Sequence, residues 1–245
     1  MQLYFLRHGQ SGNNALEGTN GYLNDRVSEP DLTDLGVMQA DRTAQFIAGT
    51  PSDAAATAPP AVPENPYSDD GFDITHIYSS PHLRALRTAA PVADALGLPI
   101  DVHEAIHEAG GVFRFDKTRG VLTGDSGLSR AKALEVHSGI RYPEVLSAQG
   151  WWDYRPFETE EERLVRAAGV VEFFARKHDR DDRILIVSHC HFYVYFCCAL
   201  LGLPYRDGYW FTLNNCAISR FGFGREGIQV EYLNRQEHLA PDLLS

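Results

Sequence analysis

The run Ile184-Leu185-Ile186-Val187 constrains the fold of this chain more than any other segment. Four branched aliphatics in a row leave no polar face, so the run reads as a strand covered on both sides. Leu3-Tyr4-Phe5-Leu6 opens the chain in the same way. Each run stops on a polar cluster that contains histidine. Arg7-His8-Gly9-Gln10 follows the first, and Ser188-His189-Cys190-His191 follows the second.

Helical patterns separate the strand patterns. Thr33 is placed to cap a helix to about Ala48, with Leu35, Met38 and Phe46 as its candidate core residues. Ile74 to Tyr78 reads as a strand that ends in Ser79-Ser80-Pro81. A helix to about Leu96 comes next, Gly97-Leu98-Pro99 stops it, and a strand follows near Ile100 to His103. Thr159-x-x-Glu162 is a capping box that opens a helix to about Lys177, with Leu164, Ala168, Val171 and Ala175 on one face. An apolar helix from His191 runs to Leu201, and Cys216 to Leu233 reads as a hairpin around Gly224-Arg225-Glu226-Gly227. Strands alternating with helices predict an α/β fold, a mostly parallel sheet with helices on both faces. Residues 50–72, rich in Ala, Pro, Ser and Asp, read as a surface loop within a single domain spanning 1–245. Residues 109–157 break the alternation and read as an insertion over the carboxyl ends of the strands that shapes a pocket.

Composition narrows the partners. A net charge of −11 argues against nucleic acid and anionic membranes. No apolar run reaches the length of a membrane span, and no signal-peptide pattern precedes the first strand. The four cysteines, Cys190, Cys197, Cys198 and Cys216, have no paired-knuckle spacing and read as buried free thiols of a cytoplasmic protein. An anionic substrate would be repelled by the overall field, so any phosphate site must be a local concentration of arginines.

Arg7 and His8 at a strand's carboxyl end have that character. The arginine offers a planar fork suited to phosphate, and the histidine a ring nitrogen that can attack phosphorus. In open α/β sheets ligands sit at the carboxyl ends of strands, where His189 also falls.

Four blocks in order resemble those of the histidine phosphatase superfamily, the phosphoglycerate mutase-like group. Arg7-His8-Gly9-Gln10-Ser11-Gly12-Asn13-Asn14 fits R-H-G-x-S-x-x-N, and Leu32 to Ala40 fits L-T-x-x-G-x-x-Q-A. Ser80 to Ala89 resembles S-P-L-x-R-A-x-Q-T-A, with His82 in place of Leu and Arg87 in place of Gln. Val187-Ser188-His189 matches the second histidine block.

The resemblance implies a phosphohistidine intermediate on His8, in a cationic pocket completed by Arg7, Arg84 and His189. It also implies a glutamate acid after the third strand, in a pattern like L-x-E. Ile106-His107-Glu108 fits, with Glu104 as rival. Glu108 would have to stay protonated near neutrality, through burial or the charge of bound phosphate. Backbone N–H groups at the start of the helix after His189 are further candidate phosphate donors. Ser11, Asn14 and Cys190 join Arg7, Arg84 and His189 in the expected phosphate- and substrate-binding set. No cofactor and no metal is expected, since His189-Cys190-His191 lies on one short turn with the wrong spacing for a zinc module.

The expected activity is hydrolysis of a small phosphate ester. A mutase is the first alternative, but mutases of this family carry N-E-R-H-Y-G around the acid, where this chain has His107-Glu108-Ala109-Gly110-Gly111. The tryptophan-containing segment that mutases place after the first motif is also missing. A phospho-ligand binding module without catalysis is the second alternative. His103, His107 and His137 read as ordinary loop or surface histidines, and Trp151, Trp152 and Tyr154 as anchors of the insertion or stacking groups. Arg114, Lys117, Arg119 and Arg141 either meet a second anionic group of the substrate or lie in solvent.

Overall fold

A computed structural model describes residues 1–19, 22, 25–49, 71–208, 210–225 and 227–245. Apart from 71 and 72, the expected loop 50–72 lies outside the described residues. The strands are β1 (Gln2–Arg7), β2 (His76–Ser79), β3 (Ile100–Val102), β4 (Phe113–Asp116), β5 (Val121–Gly124), β6 (Ile140–Arg141), β7 (Arg183–Ser188), β8 (Ile218–Gly224) and β9 (Gly227–Arg235). Seven of them form one sheet in the order β6-β3-β2-β7-β1-β8-β9. β6, β3, β2, β7 and β1 run parallel, and β8 and β9 close one edge antiparallel.

The unbroken apolar runs become the two central strands. Ile184, Leu185, Ile186 and Val187 are fully buried, as are Leu3, Phe5 and Leu6. Each such side chain stabilises the fold by about 1.5–3 kcal/mol. Alternation divides them between two cores. Leu6, Leu185 and Val187 pack on one face, and Leu3, Phe5, Ile184 and Ile186 on the other.

The helices covering those faces are α2 (Asp34–Ile47) and α3 (Leu83–Leu96) on the first, with α5 (Glu160–Lys177) and α6 (Cys190–Leu201) on the second. Short helices α1 (Gly12–Ala15) and α4 (Arg130–Val136) lie in loops. Thr33 and Thr159 cap α2 and α5, the latter in a full capping box. Two predicted helix faces are corrected. In α2 the buried residues are Gly36, Gln39, Ala40, Thr43, Ala44 and Ile47, while Met38 is exposed and Leu35 and Phe46 are half-buried. The loop after β1 presses on this helix at Gly36, and α3 packs against the rest of the inner face. In α5 the inner stripe is Ala167, Val170 and Phe174, one residue ahead of the predicted set. No described helix is long and apolar enough to cross a membrane.

The segment 109–157 holds the β4–β5 hairpin and α4, and it also extends the main sheet, because β6 pairs with β3. Its far end is tied down by a buried ion pair. Arg166 of α5 grips Glu158 through Nε and Nη2, each at 2.6 Å, and donates through Nη1 to the carbonyls of Ala105 and His107. Burial pushes the Glu158 carboxyl upward, but the Arg166 fork and His107 outweigh it and hold it well below the usual carboxylate range.

Two stability predictions follow from this packing. A Cβ on Gly36 would lie 2.0 Å from the Gln10 carbonyl oxygen, so Gly36→Ala should cost at least about 1–3 kcal/mol in urea denaturation. Glu158→Ala strands Arg166 and should cost about 3–5 kcal/mol near neutral pH. Glu158 has a depressed folded value, so its contribution is present above the unfolded value of about 4.3 and lost as pH falls through the folded one. The stability gap between wild type and Glu158→Ala should therefore stay level above about pH 5 and narrow on acidification.

Candidate active site

Strand register brings the polar clusters together. Arg7 at the end of β1 stands opposite Ser188 at the end of β7, and Ser79 of β2 stands opposite Val187. The residues one step further, His8, His189 and Ser80, therefore share one carboxyl edge. The rings of His8 and His189 are 5.1 Å apart between centroids, and His189 Nε2 is 2.8 Å from Ser80 Oγ.

Loops on either side fix the nucleophile candidate. His8 Nδ1 lies 2.7 Å from the Gly9 carbonyl oxygen, an acceptor that requires the proton on Nδ1 and leaves the Nε2 lone pair free. Arg84, brought in by the first turn of α3, donates from Nε to His8 Nε2 at 3.2 Å. Burial, then the charges of Arg84 and Arg7, hold His8 well below the ordinary imidazole value. The same burial and Arg84 act on His189. Both rings are thus neutral at physiological pH. Arg7 donates from Nη1 to the Leu213 carbonyl, and its Nε is buried with no hydrogen-bond partner among the described residues. Asn215 supports the pair from the loop before β8 by donating to the His8 carbonyl at 3.0 Å.

Glu108 reaches the same space, and Glu104 does not. Ser188 Oγ donates to the Ile106 carbonyl, which pins the segment after β3 beside β7. Glu108 Oε1 accepts the N–H groups of Ala109 at 2.8 Å and Phe192 at 2.9 Å. Glu104 points outward to an ion pair with Arg155. Two expectations change here. Phe192 N, one of the α6 donors expected for phosphate, is already used by Glu108. Burial raises the Glu108 carboxyl, but His191, Arg84 and the two N–H groups outweigh it, so the acid is ionised.

Ser11 and Asn14 form the capping box of α1, and Asn14 also accepts from Asn215. Cys190 opens α6, and burial with the neighbouring Glu108 charge pushes its thiol up to about 11, so it is not a thiolate. All four cysteines are free. His107 is 3% exposed, set against Trp151 and Trp152, which corrects its reading as a surface residue. Arg114, Lys117 and Arg119 are exposed on or beside the hairpin, Arg141 pairs with Asp101, and Arg87 pairs with Asp31 at the surface. Among the described residues a possible metal-ligand group, His76, His178 and Asp182, lies at the amino ends of the strands, away from this site.

Two site residues escaped the sequence reading. His82, at 1% exposed, has its ring 4.8 Å from that of His189, and its Nδ1 donates to Glu29 Oε2 at 3.1 Å. Glu29 accepts three further donors, the N–H of Leu83, the N–H of Leu128 and Nε1 of Trp151, each at 3.2 Å. The departure of His82 from the motif's Leu was the available signal. Glu29 had none, since it stands in a loop without periodicity.

Two neutral imidazoles, two guanidinium groups and a carboxylate converging at a strand edge form a site able to bind a tetrahedral anion and attack it at its centre. Known proteins agree with the architecture. The chain is 27% identical over 225 residues to a probable phosphoglycerate mutase GpmB of Yersinia pestis, covering 91% of this chain and 85% of that one. Its fold matches a putative alpha-ribazole-5'-P phosphatase of Escherichia coli with a TM-score of 0.59 at 17% identity, covering 96% of both chains. It matches phosphoserine phosphatase of Entamoeba histolytica with a TM-score of 0.57 at 19% identity, covering 98% of this chain and 99% of that one. Residues 68–119 and 130–236 match the sequence model of the histidine phosphatase superfamily (branch 1). Those segments carry Arg84, Glu108 and His189, the fold supplies Arg7 and His8 beside them, and the chain belongs to the histidine phosphatase superfamily.

Proposed function

We propose that this protein is a phosphomonoesterase that works through a phosphohistidine on His8, without a metal ion. The observation that carries the reading is the state of His8. Its ring is neutral, its Nδ1 proton is held on Gly9, and its Nε2 lies against Arg84 in a buried site.

In the first step His8 Nε2 forms a bond to phosphorus as the ester P–O bond breaks. Arg7, Arg84 and His189 hold the equatorial oxygens, where charge develops. The leaving alkoxide takes a proton from Glu108. That carboxyl is ionised in the empty site, so it must gain its proton as substrate arrives. A bound phosphate offsets the Arg84 charge that holds it low, and the balance tips toward burial. In the second step Glu108 takes a proton from water, the water oxygen attacks phosphorus, the P–N bond breaks, and inorganic phosphate leaves.

Hydrolysis is favoured over mutase chemistry by the residues around the acid, His107-Glu108-Ala109-Gly110-Gly111. Gly110 and Gly111 have φ of +94° and +81°, and a Cβ on them would strike Phe157 and Trp152. This turn has no room for the bulkier side chains of the mutase pattern. We assign selection of the ester to residues 109–157, whose Leu128 and Trp151 hydrogen-bond to Glu29 beside His82. Four free thiols and a small anionic substrate suit a cytoplasmic setting.

Turnover of p-nitrophenyl phosphate with EDTA present should continue in wild type and fall to background in His8→Ala. Retained turnover in His8→Ala sinks the mechanism, and loss on chelation restores a metal. With phosphoglycerate, release of inorganic phosphate supports hydrolysis, and interconversion of isomers supports the mutase. Glu108→Gln should slow alkyl phosphates by about 10²-fold or more and aryl phosphates with good leaving groups far less.

A further inference from the structure

The Glu29–His82 pair has no role in the chemistry above, yet both residues adjoin the phosphate pocket. His82 is buried, and its Nε2 has no hydrogen-bond partner among the described residues. Its Nδ1 is committed to Glu29, because a carboxylate only accepts. The same Nδ1 lies 3.3 Å from Arg84 Nη1, so Arg84 sits between His8 on one side and the Glu29–His82 pair on the other.

We propose that His82, backed by Glu29, is a third imidazole of the phosphate pocket and takes up a proton from solvent at Nε2 when a tetrahedral dianion binds beside Arg84. The groups that face His82 set the direction. Glu29 comes from the loop before α2, Arg84 from α3, His189 from the end of β7, and His8 from the end of β1 by way of Arg84. Glu108 stands further off after β3, and the neutral Trp151 ring packs edge-on at 5.1 Å. In the empty pocket burial holds His82 below its ordinary value, Glu29 and Glu108 pull it up, and Arg84 pushes it down. Glu29 itself stays ionised, since His82, Arg84 and the Leu83 N–H outweigh its burial. The empty site then holds two guanidinium charges against two carboxylates, with three neutral rings. A dianion beside Arg84 masks the cation that disfavours imidazolium and adds negative charge nearby. Both changes favour a proton on His82, and Glu29 already provides its counter-charge.

The inference rests on the phosphate-pocket reading but not on turnover, so the test uses binding alone. Tungstate, a tetrahedral oxyanion that stays dianionic at neutrality, is titrated calorimetrically at pH 7 in buffers of different ionisation enthalpy. Wild type should take up protons on binding. His82→Leu should lower that uptake by up to about one proton per site and flatten the fall in affinity with rising pH. Glu29→Gln keeps the shape of the side chain and removes the counter-charge, so it should lower the uptake as well. The double variant avoids leaving a buried carboxylate unpaired and should match His82→Leu. A purely structural role would change thermal stability and leave the proton count where it was.

An unchanged proton count in all three variants overturns the role of His82. Failure of wild type to bind tungstate overturns the pocket and the inference together. Tungstate binding with His82-dependent uptake in a protein that hydrolyses no ester upholds the inference and removes the phosphatase reading.

Discussion

The parallel register of β2, β7 and β1 is the constraint on which the site depends. Side chains alternate along a strand, so a slip of one residue would send Leu185 and Val187 into the opposite core and turn every residue of the run over. Two cores with different partners make such a slip costly at each position. The register that satisfies both cores also sets Arg7 beside Ser188. His8 and His189 are then neighbours without any contact having to draw them together. Packing of the apolar strands positions the polar ends, and the chemistry inherits its geometry from the hydrophobic effect.

Electrostatics works the other way, against the fold. Arg7 and Arg84 are buried and Glu29 and Glu108 half-buried, and each would be costly there alone. They are tolerated because the charges balance and because backbone groups complete the shells. The Leu213 carbonyl receives Arg7, and the N–H groups of Ala109, Phe192, Leu83 and Leu128 reach the two carboxylates. The histidines remain neutral between them. Balanced in this way, the four charges need no ligand to offset them.

The parts legible in the sequence were those fixed by local chemistry or by unbroken apolar runs. β1 and β7, the Thr33 and Thr159 caps, and the strand-end placement of Arg7, His8 and His189 are of this kind. Helix faces were less legible, because α2 buries small and polar residues and α5 carries apolar residues at adjacent positions that periodicity does not separate. Ala167 and Ala168 look alike in a sequence, and only the neighbouring helix distinguishes them. The ionised state of the Glu108 carboxyl was not legible for a related reason. Burial alone raises a carboxyl, and the opposing donors belong to Ala109 and to Phe192, the latter 84 residues away. Glu29 was invisible on the same grounds, since all four of its donors come from other segments of the chain.

Glu29 also has a consequence for how substitutions on the two sides of this site depend on one another. Its carboxylate is shared between the start of α3, which carries Arg84, and the segment 109–157, through Leu128 and Trp151. The segment 109–157 and the start of α3 thus meet at one half-buried acid. A change in that segment that removes those two donors leaves the acid half satisfied and loosens the start of α3 as well. The exposed β4–β5 hairpin makes no such bond to Glu29, so changes there leave the acid's shell intact, whereas changes near Leu128 and Trp151 do not.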